Sequence, residues 1–279
     1  MFNKLFKYDF RFVLRIWWIF AVATVGIAVA AGLLIGNMAS YESQMVQNVL
    51  YETLTFFGIL FCVIGLSLFP LVYMITSLVR YYTNFFSDEG YLTFTLPVKR
   101  RSLLNSKLLT CFLFEVMTVA VIIFDIFVIA LIAAGPRNFF DALATLWHGL
   151  TRTLLPSLST PAVVCLVLLP FFLLSVSLMN INVYFACLTF GAVVAKKHKV
   201  LAAIGIYLGV STGMGLIQQI LSAFTISPLL SGFYSYNDAI GMGWEIALFL
   251  AVSTIVYAGC GVGFYCINLH CLKNKLNLN

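Results

Sequence analysis

Long apolar runs separated by short polar intervals set the pattern of this 279-residue chain. Each run extends for about 20 residues or more with few charges, which is what an α-helix needs to cross the hydrocarbon core of a membrane. The pattern therefore predicts an all-α integral membrane protein, with residues 1–279 forming a single transmembrane domain. The six expected spans are 16–36, 53–79, 108–134, 162–194, 201–224 and 244–267.

Two further segments are amphipathic rather than uniformly apolar. At the N-terminus, basic residues recur at helical spacing opposite an apolar face, and this predicts a helix lying in the membrane interface. Its basic residues are Lys4, Lys7, Arg11 and Arg15. Residues 137–160 are too polar to span but carry an apolar stripe, so we expect a surface helix on the opposite face of the membrane. Trp17 and Trp18, at the start of the first span, are typical of residues that anchor a helix at the interface.

The distribution of Lys and Arg predicts the orientation of the spans. Fourteen of the sixteen basic residues lie at the two termini, in the interval 80–107 or in the turn 196–199, and only Arg137 and Arg152 lie on the other side. Since cytoplasmic segments carry an excess of Lys and Arg, we expect both termini in the cytoplasm. The net charge of +6 therefore reflects topology, and no continuous basic patch suggests nucleic-acid binding.

Motifs that would indicate catalysis are missing from the sequence. There is no G-x-x-x-x-G-K-[ST], H-E-x-x-H or G-x-S-x-G, so we expect neither a nucleotide site nor catalytic residues, and the chain is not predicted to be an enzyme. The three histidines and seven cysteines do not show metal-ligand spacing, so no metal site or cofactor is expected in this chain. The cysteines are interpreted as buried, unreactive thiols.

Polar residues within the predicted spans are candidates for a transport pathway. Glu115 and Asp125 lie in the third span, and a charge inside a bilayer is costly unless it faces protein or water. They are interpreted either as part of a substrate or proton pathway or as structural groups. Ser177, Asn180 and Tyr184 share one face of the fourth span, where they either line a cavity or join two helices.

Glycines recur every four residues in the fifth span, at Gly205, Gly209 and Gly213. This doubled small-xxx-small pattern allows another helix to approach closely, but glycines supply no side-chain chemistry for binding. The pattern therefore predicts a packing surface. Its partner is either a neighbouring helix of the same chain or a second copy.

The longest polar interval, 87–107, separates the second span from the third. Asp88 and Glu89 suit the first turn of a helix, because carboxylates are favoured at the positive end of the helix dipole. Pro97 suits the start of the next helix, where its missing N–H costs nothing. The interval is therefore predicted to hold a short, rigid helix on the cytoplasmic side.

This interval resembles the first cytoplasmic loop of ABC transporter type-2 exporter permeases. The shared pattern is two acids and a glycine, then Leu-Pro-Val, a basic cluster, a leucine pair and a lysine before the next span. The residues are Asp88, Glu89, Gly90, Leu96, Pro97, Val98, Arg100, Leu103, Leu104 and Lys107. The loop departs from the family at Tyr91 and Lys99, where a threonine and a small hydroxyl residue are usual.

The resemblance implies a bacterial cell-membrane permease that moves substrate outward. Its coupling helix would dock on a separate ATP-binding subunit, which would carry the ATP and magnesium, and the chain would pair with a second copy or a paralogue among membrane lipids. The residues implied in docking are Asp88, Glu89, Gly90, Tyr91, Leu92, Phe94, Pro97 and Val98. Two alternatives stay open: a non-transporting immunity or sensor protein, and an ion-coupled carrier that uses Glu115 and Asp125. The substrate is open among peptides, lipids and drugs.

Overall fold

The computed structural model describes residues 2–42, 49–87, 90, 95, 98–154, 159–195, 198–232 and 239–274. These residues are almost entirely helical and contain no strand. The elements are α1 (Phe2–Glu42), α2 (Val49–Phe86), α3 (Arg100–Ala134), α4 (Pro136–Gly149), a π-helical turn (Leu150–Leu154), α5 (Thr160–Val194), α6 (Lys199–Gly232) and α7 (Ala239–Asn274). Six of these helices are long and apolar enough to cross a membrane, which confirms, for the described residues, the predicted all-α class and the expected number of helices that could span.

The helices extend beyond the predicted spans. In α1 the amphipathic segment is continuous with the first span, because no Gly or Pro interrupts the helix between residues 2 and 25. The placement of that segment in the membrane interface stays a prediction. By contrast, α3 ends at Ala134 as expected, because Gly135 has a positive φ of 77° and Pro136 begins the next helix.

The chain divides into two compact units, of which the first comprises Met1–Val79 and Leu109–Pro156. Its core contains Val13, Trp17, Ala21, Phe69 and Phe114. The Trp17 ring lies 5.9 Å from the rings of both Phe69 and Phe114, and its Nε1 donates a 2.9 Å hydrogen bond to Thr118 Oγ1. Interfacial anchoring was therefore the wrong interpretation of Trp17, because consecutive residues lie on different helix faces and only Trp18 is exposed.

Within the first unit, α1 and α3 run side by side in the same direction. Trp17 contacts Thr118 near one end of the pair, and Gly32 lies against Ile132 near the other. A Cβ built on Gly32 would be 2.8 Å from the Ile132 Cβ, so the glycine permits this close approach.

The predicted surface helix over 137–160 is present as α4 and the π-helical turn. Phe139 is buried edge-to-face against Phe127, with ring centroids 4.9 Å apart. The rest of the apolar stripe, including Phe140 and Trp147, is exposed. Its position on a membrane face stays a prediction.

The second unit comprises Arg80–Leu108 and Ser157–Asn279, so it includes both flanks of the polar interval. Its core cluster is formed by Met179, Val183 and Cys187 of α5, with side chains of α6 and α7 packed around them. Helices α5 and α7 run in the same direction, since Met179 lies against Gly261 and Thr189 binds Asn268. That the whole chain works as a single permease domain stays a prediction.

Candidate functional site

Two of the residues implied in coupling, Gly90 and Val98, fall within the described part of the chain. Gly90 is buried, and its N–H donates a 2.7 Å hydrogen bond to the Ser87 carbonyl directly after α2. A Cβ built on Gly90 would lie 2.8 Å from the Phe85 carbonyl oxygen, so a side chain does not fit there. The other implied residues, which lie outside the described part, are Asp88, Glu89, Tyr91, Leu92, Phe94 and Pro97.

The flank before this interval is fixed by Tyr81, near the end of α2. Its side chain is fully buried and stacks on Phe185 of α5, with ring centroids 4.0 Å apart and an interplanar angle of 7°. Its hydroxyl lies 2.9 Å from Thr189 Oγ1 and donates to Asn268 Oδ1 at 3.2 Å. Thr189 Oγ1 also contacts Asn268 Oδ1 at 2.7 Å. The end of α2 is thus joined to α5 and α7 by a buried polar cluster.

The later part of the interval, which forms the start of α3, is fixed by Arg100, the first residue of that helix. Its Nη1 donates to the Leu272 carbonyl and, at 2.7 Å, to the Lys273 carbonyl. These oxygens belong to the last turn of α7, where carbonyls have no partner within the helix and a positive charge is favoured. The start of α3 therefore caps the C-terminal end of α7.

A second contact on the same flank extends this attachment by two turns of α7. Arg101 Nε donates to the Tyr265 hydroxyl at 3.3 Å, and that hydroxyl donates to Asn105 Oδ1 at 2.7 Å. Sequence reasoning did not predict the contacts of Tyr81, Arg100 and Asn268, because their partners lie between 79 and 187 residues away. A signal was present in Asn268, whose amide is unusual at the end of an otherwise apolar run.

Of the two acids in the third span, Asp125 is the more enclosed. It is 1% exposed, and the Thr24 hydroxyl lies beside its carboxylate. That hydroxyl donates to the Ala21 carbonyl at 2.9 Å and can rotate to donate to Asp125, whose carboxylate oxygens accept no other hydrogen bond from the described residues. Glu115 is half-buried, and its Oε2 has no partner in the same part of the chain.

No basic residue lies within the three spans of the first unit, since residues 16–79 and 108–136 include no Lys, Arg or His. Arg15, directly before the first span, stays a candidate structural partner for Glu115. A buried carboxylate without a cation beside it is costly. Asp125 therefore has the features of a functional group within a span, and whether it belongs to a pathway stays a prediction.

This difference in burial leads to an expected difference between two variants. If the acids act in transport, Asp125→Asn should reduce transport more than Glu115→Gln, because the deeper carboxylate has fewer routes to water. We expect a loss of about tenfold for Asp125→Asn, equivalent to ~1.4 kcal/mol, and a smaller loss for Glu115→Gln. The rate of transport by the reconstituted protein, normalised to inserted protein, provides the measurement. Wild-type rates in both variants would leave the two acids with a structural role only.

The polar face of the fourth span contributes to helix contacts. Ser177, Asn180 and Tyr184 are all half-buried, and the Tyr184 ring lies 5.2 Å from the Tyr207 ring of α6. This contact favours the joining of two helices over a cavity lining at Tyr184. For Ser177 and Asn180 both interpretations stay open.

The three glycines of α6 are open on the surface of the chain. A Cβ built on Gly205, Gly209 or Gly213 would meet nothing within 4 Å, so no helix in the described part approaches them closely. The close helix contact in this unit lies at Gly191 instead. A Cβ there would be 2.6 Å from the Ala203 backbone nitrogen.

The expectation that the cysteines are buried holds for only some of them. Cys62, Cys111, Cys187 and Cys271 are buried free thiols, whereas Cys266 is exposed. The interpretation as a buried thiol was therefore wrong for Cys266. Its apolar neighbours in sequence do not determine which face of α7 it occupies.

Comparisons of the chain with protein-family models, with curated proteins and with solved structures found no match.

Proposed function

We propose that this chain is the membrane-spanning subunit of an ATP-binding-cassette exporter and that it moves substrate outward by alternating access. The observation that carries the proposal is the interval between α2 and α3. Its sequence resembles the coupling loop of type-2 exporter permeases, and its two flanks are held by specific polar contacts to α7. Such attachment supports the proposal, because a loop can transmit a displacement only through elements to which it is firmly bound.

ATP would be bound and hydrolysed on a separate subunit, which would also hold the magnesium ion. This assignment follows from the sequence, which has no phosphate-binding loop of the P-loop type. The partner would dock on the interval through Tyr91, Leu92 and Phe94, with Asp88 and Glu89 at the start of the short helix. Apolar and aromatic anchors of this kind often contribute about 2 kcal/mol or more each to an interface.

A crosslinking experiment tests docking at this loop. A photoreactive amino acid at Thr95, an exposed position within the interval, is expected to crosslink to an ATP-binding subunit in native membranes. The same probe at Thr145, an exposed position on α4, is the matched control and is expected to give no such product. Equal crosslinking from both positions, or none from Thr95, would contradict docking at the loop.

The proposed orientation places the bacterial cytoplasm on the side of the loop and of both termini. In a cysteine-free background, Lys99→Cys should be protected from an impermeant maleimide in intact cells and react after the membrane is opened. Thr145→Cys should react in intact cells. The native cysteines must be removed first, because Cys266 is exposed. Labelling of position 99 from outside would overturn the six-span orientation.

The functional unit is proposed to contain two permease chains, either two copies or a copy and a paralogue. The open glycine face of α6 supports this, because no neighbouring helix of the chain fills it in the described part. Gly209→Leu should therefore weaken the dimer by about tenfold, since the added side chain blocks close helix approach without disturbing the monomer fold. Crosslinking yield against protein concentration in nanodiscs measures the effect. Unchanged dimerisation would contradict the proposal that the glycine face of α6 forms the dimer interface.

An ion-coupled carrier is the second candidate, and Asp125 is the observation that favours it. A carboxylate that is 1% exposed within a span and has no basic residue in its own span is a feature of proton-binding groups in carriers. Transport by the chain alone, driven by an ion gradient and independent of ATP, would support the carrier in place of the exporter.

A further inference from the structure

The two flanks of the polar interval attach to the same distant helix. Tyr81, before the loop 87–99, binds Asn268, and Arg100, directly after this loop, binds the carbonyls of Leu272 and Lys273. All three partners belong to one short stretch of α7, about 8 Å long at the rise of an α-helix. The interval and the end of α7 are therefore joined at two points, although they lie far apart in the sequence.

The first point is a buried contact that resists separation. Tyr81, Thr189 and Asn268 are each 0% exposed, so moving them apart would leave polar groups without partners away from water. The stacking of Tyr81 on Phe185 adds an apolar contact of large area. Separation of α2 from α7 at Tyr81 and Asn268 is thus strongly disfavoured.

The second point is a charge-assisted contact at a helix end. The guanidinium group of Arg100 meets the carbonyls of the last turn of α7, where the helix dipole is negative. The Arg101–Tyr265–Asn105 contacts join the same two elements about two turns earlier in α7. The start of α3 is thus held to α7 over several turns.

Helix α7 is in turn packed along α5 from one end to the other. Cys165 Sγ lies 3.6 Å from the Gly243 carbonyl near the start of both helices, and Thr189 binds Asn268 near their ends. Gly261 lies against Met179 between these two contacts. A displacement applied to the end of α7 would therefore extend along both helices.

We propose that α7 moves together with the loop between α2 and α3, and that Tyr81, Asn268 and Arg100 are the positioning residues that join them. Through this attachment the loop acts on α7 and α5, and not only on α2 and α3, which precede and follow it in the chain. The proposal rests on the proposed function, because the displacement comes from the ATP-binding subunit.

The attachment itself is tested on the chain alone, by hydrogen exchange in nanodiscs over residues 266–274. Arg100→Ala should make amide exchange in this stretch about tenfold faster, because the last turn of α7 loses its charge-assisted cap. Lys99→Ala removes the same charge at the neighbouring exposed position and should leave exchange unchanged. Unchanged exchange in Arg100→Ala would overturn the attachment, whatever the function of the protein.

The coupling role is tested on the complex with the ATP-binding subunit. Arg100→Ala should still bind the ATP-binding subunit but should reduce ATP hydrolysis by the complex about tenfold. Arg100→Lys, which keeps the positive charge, should have most of the wild-type hydrolysis rate. Tyr81→Phe, which keeps the ring stack, should also reduce hydrolysis. Full hydrolysis in Arg100→Ala and Tyr81→Phe would overturn the coupling role and leave the exporter proposal standing. Failure of the wild-type chain to bind an ATP-binding subunit would instead overturn the proposed function.

Discussion

Gly90→Ala is expected to weaken binding of the proposed ATP-binding subunit and to lower ATP hydrolysis by the complex, while the membrane protein stays inserted and folded. The added Cβ would lie 2.8 Å from the Phe85 carbonyl oxygen and 2.9 Å from its carbon, so the backbone after α2 must shift. Since this backbone enters the proposed docking segment, the shift misplaces the surface that meets the partner. We expect partner binding and ATP hydrolysis by the complex to fall by about tenfold or more, the effect of losing one well-packed anchor.

The matched control for this variant is Gly26→Ala in α1. A Cβ at Gly26 would meet nothing within 4 Å, so the same chemical change should leave folding, partner binding and hydrolysis at wild-type values. Size-exclusion chromatography of each variant in detergent establishes that the protein is intact. Wild-type hydrolysis in intact Gly90→Ala would show that the loop is not the coupling element.

Gly191→Leu should cause the largest loss of stability among the helix glycines. A Cβ at this position would lie 2.6 Å from the Ala203 nitrogen and 2.7 Å from its Cα, and a backbone neighbour cannot move aside as a flexible side chain does. Helices α5 and α6 must then separate where Gly191 lies against Ala203. We expect a cost of about 3 kcal/mol or more, at the upper end of the range for overpacked sites. Thermal unfolding in detergent measures the loss.

Gly209→Leu serves as the control, because it introduces the same side chain where a Cβ would meet open space. Its unfolding temperature should remain near that of the wild type, although its dimerisation is expected to weaken. Similar unfolding temperatures for the two leucine variants would contradict the different packing of these glycines.

Hydropathy predicted the helices well, but it predicted their ends less well. An apolar run marks the part of a helix that suits lipid, whereas the helix itself continues until a residue interrupts its hydrogen bonds. For this reason α2 extends to Phe86, seven residues beyond the expected end of its span, while α3 stops at Ala134 before Gly135 and Pro136. Gly135 and Pro136 together marked the end of α3, whereas the single prolines Pro70 and Pro170 lie inside continuous helices and marked no end.

The candidate site was only partly accessible from the sequence. The local pattern predicted a separate segment between the second and third spans, because turn and helix-start preferences are properties of neighbouring residues. It predicted the start of the next helix at Pro97, whereas Val98 and Lys99 are not helical and α3 begins at Arg100. No local pattern indicated that Tyr81 and Arg100 converge on α7, since those contacts depend on how distant helices pack. The face occupied by Trp17 was missed for the same reason.

ATP hydrolysis by the complex isolated through a tag on this chain tests the central claim most directly. If the chain is the membrane subunit of an ATP-driven exporter, an ATP-binding subunit stays with it through purification from the native membrane. The wild-type complex then hydrolyses ATP in nanodiscs, and Gly90→Ala lowers that rate by about tenfold or more. Purification of the intact chain without any ATP-binding subunit, and without ATP hydrolysis, would contradict the exporter assignment.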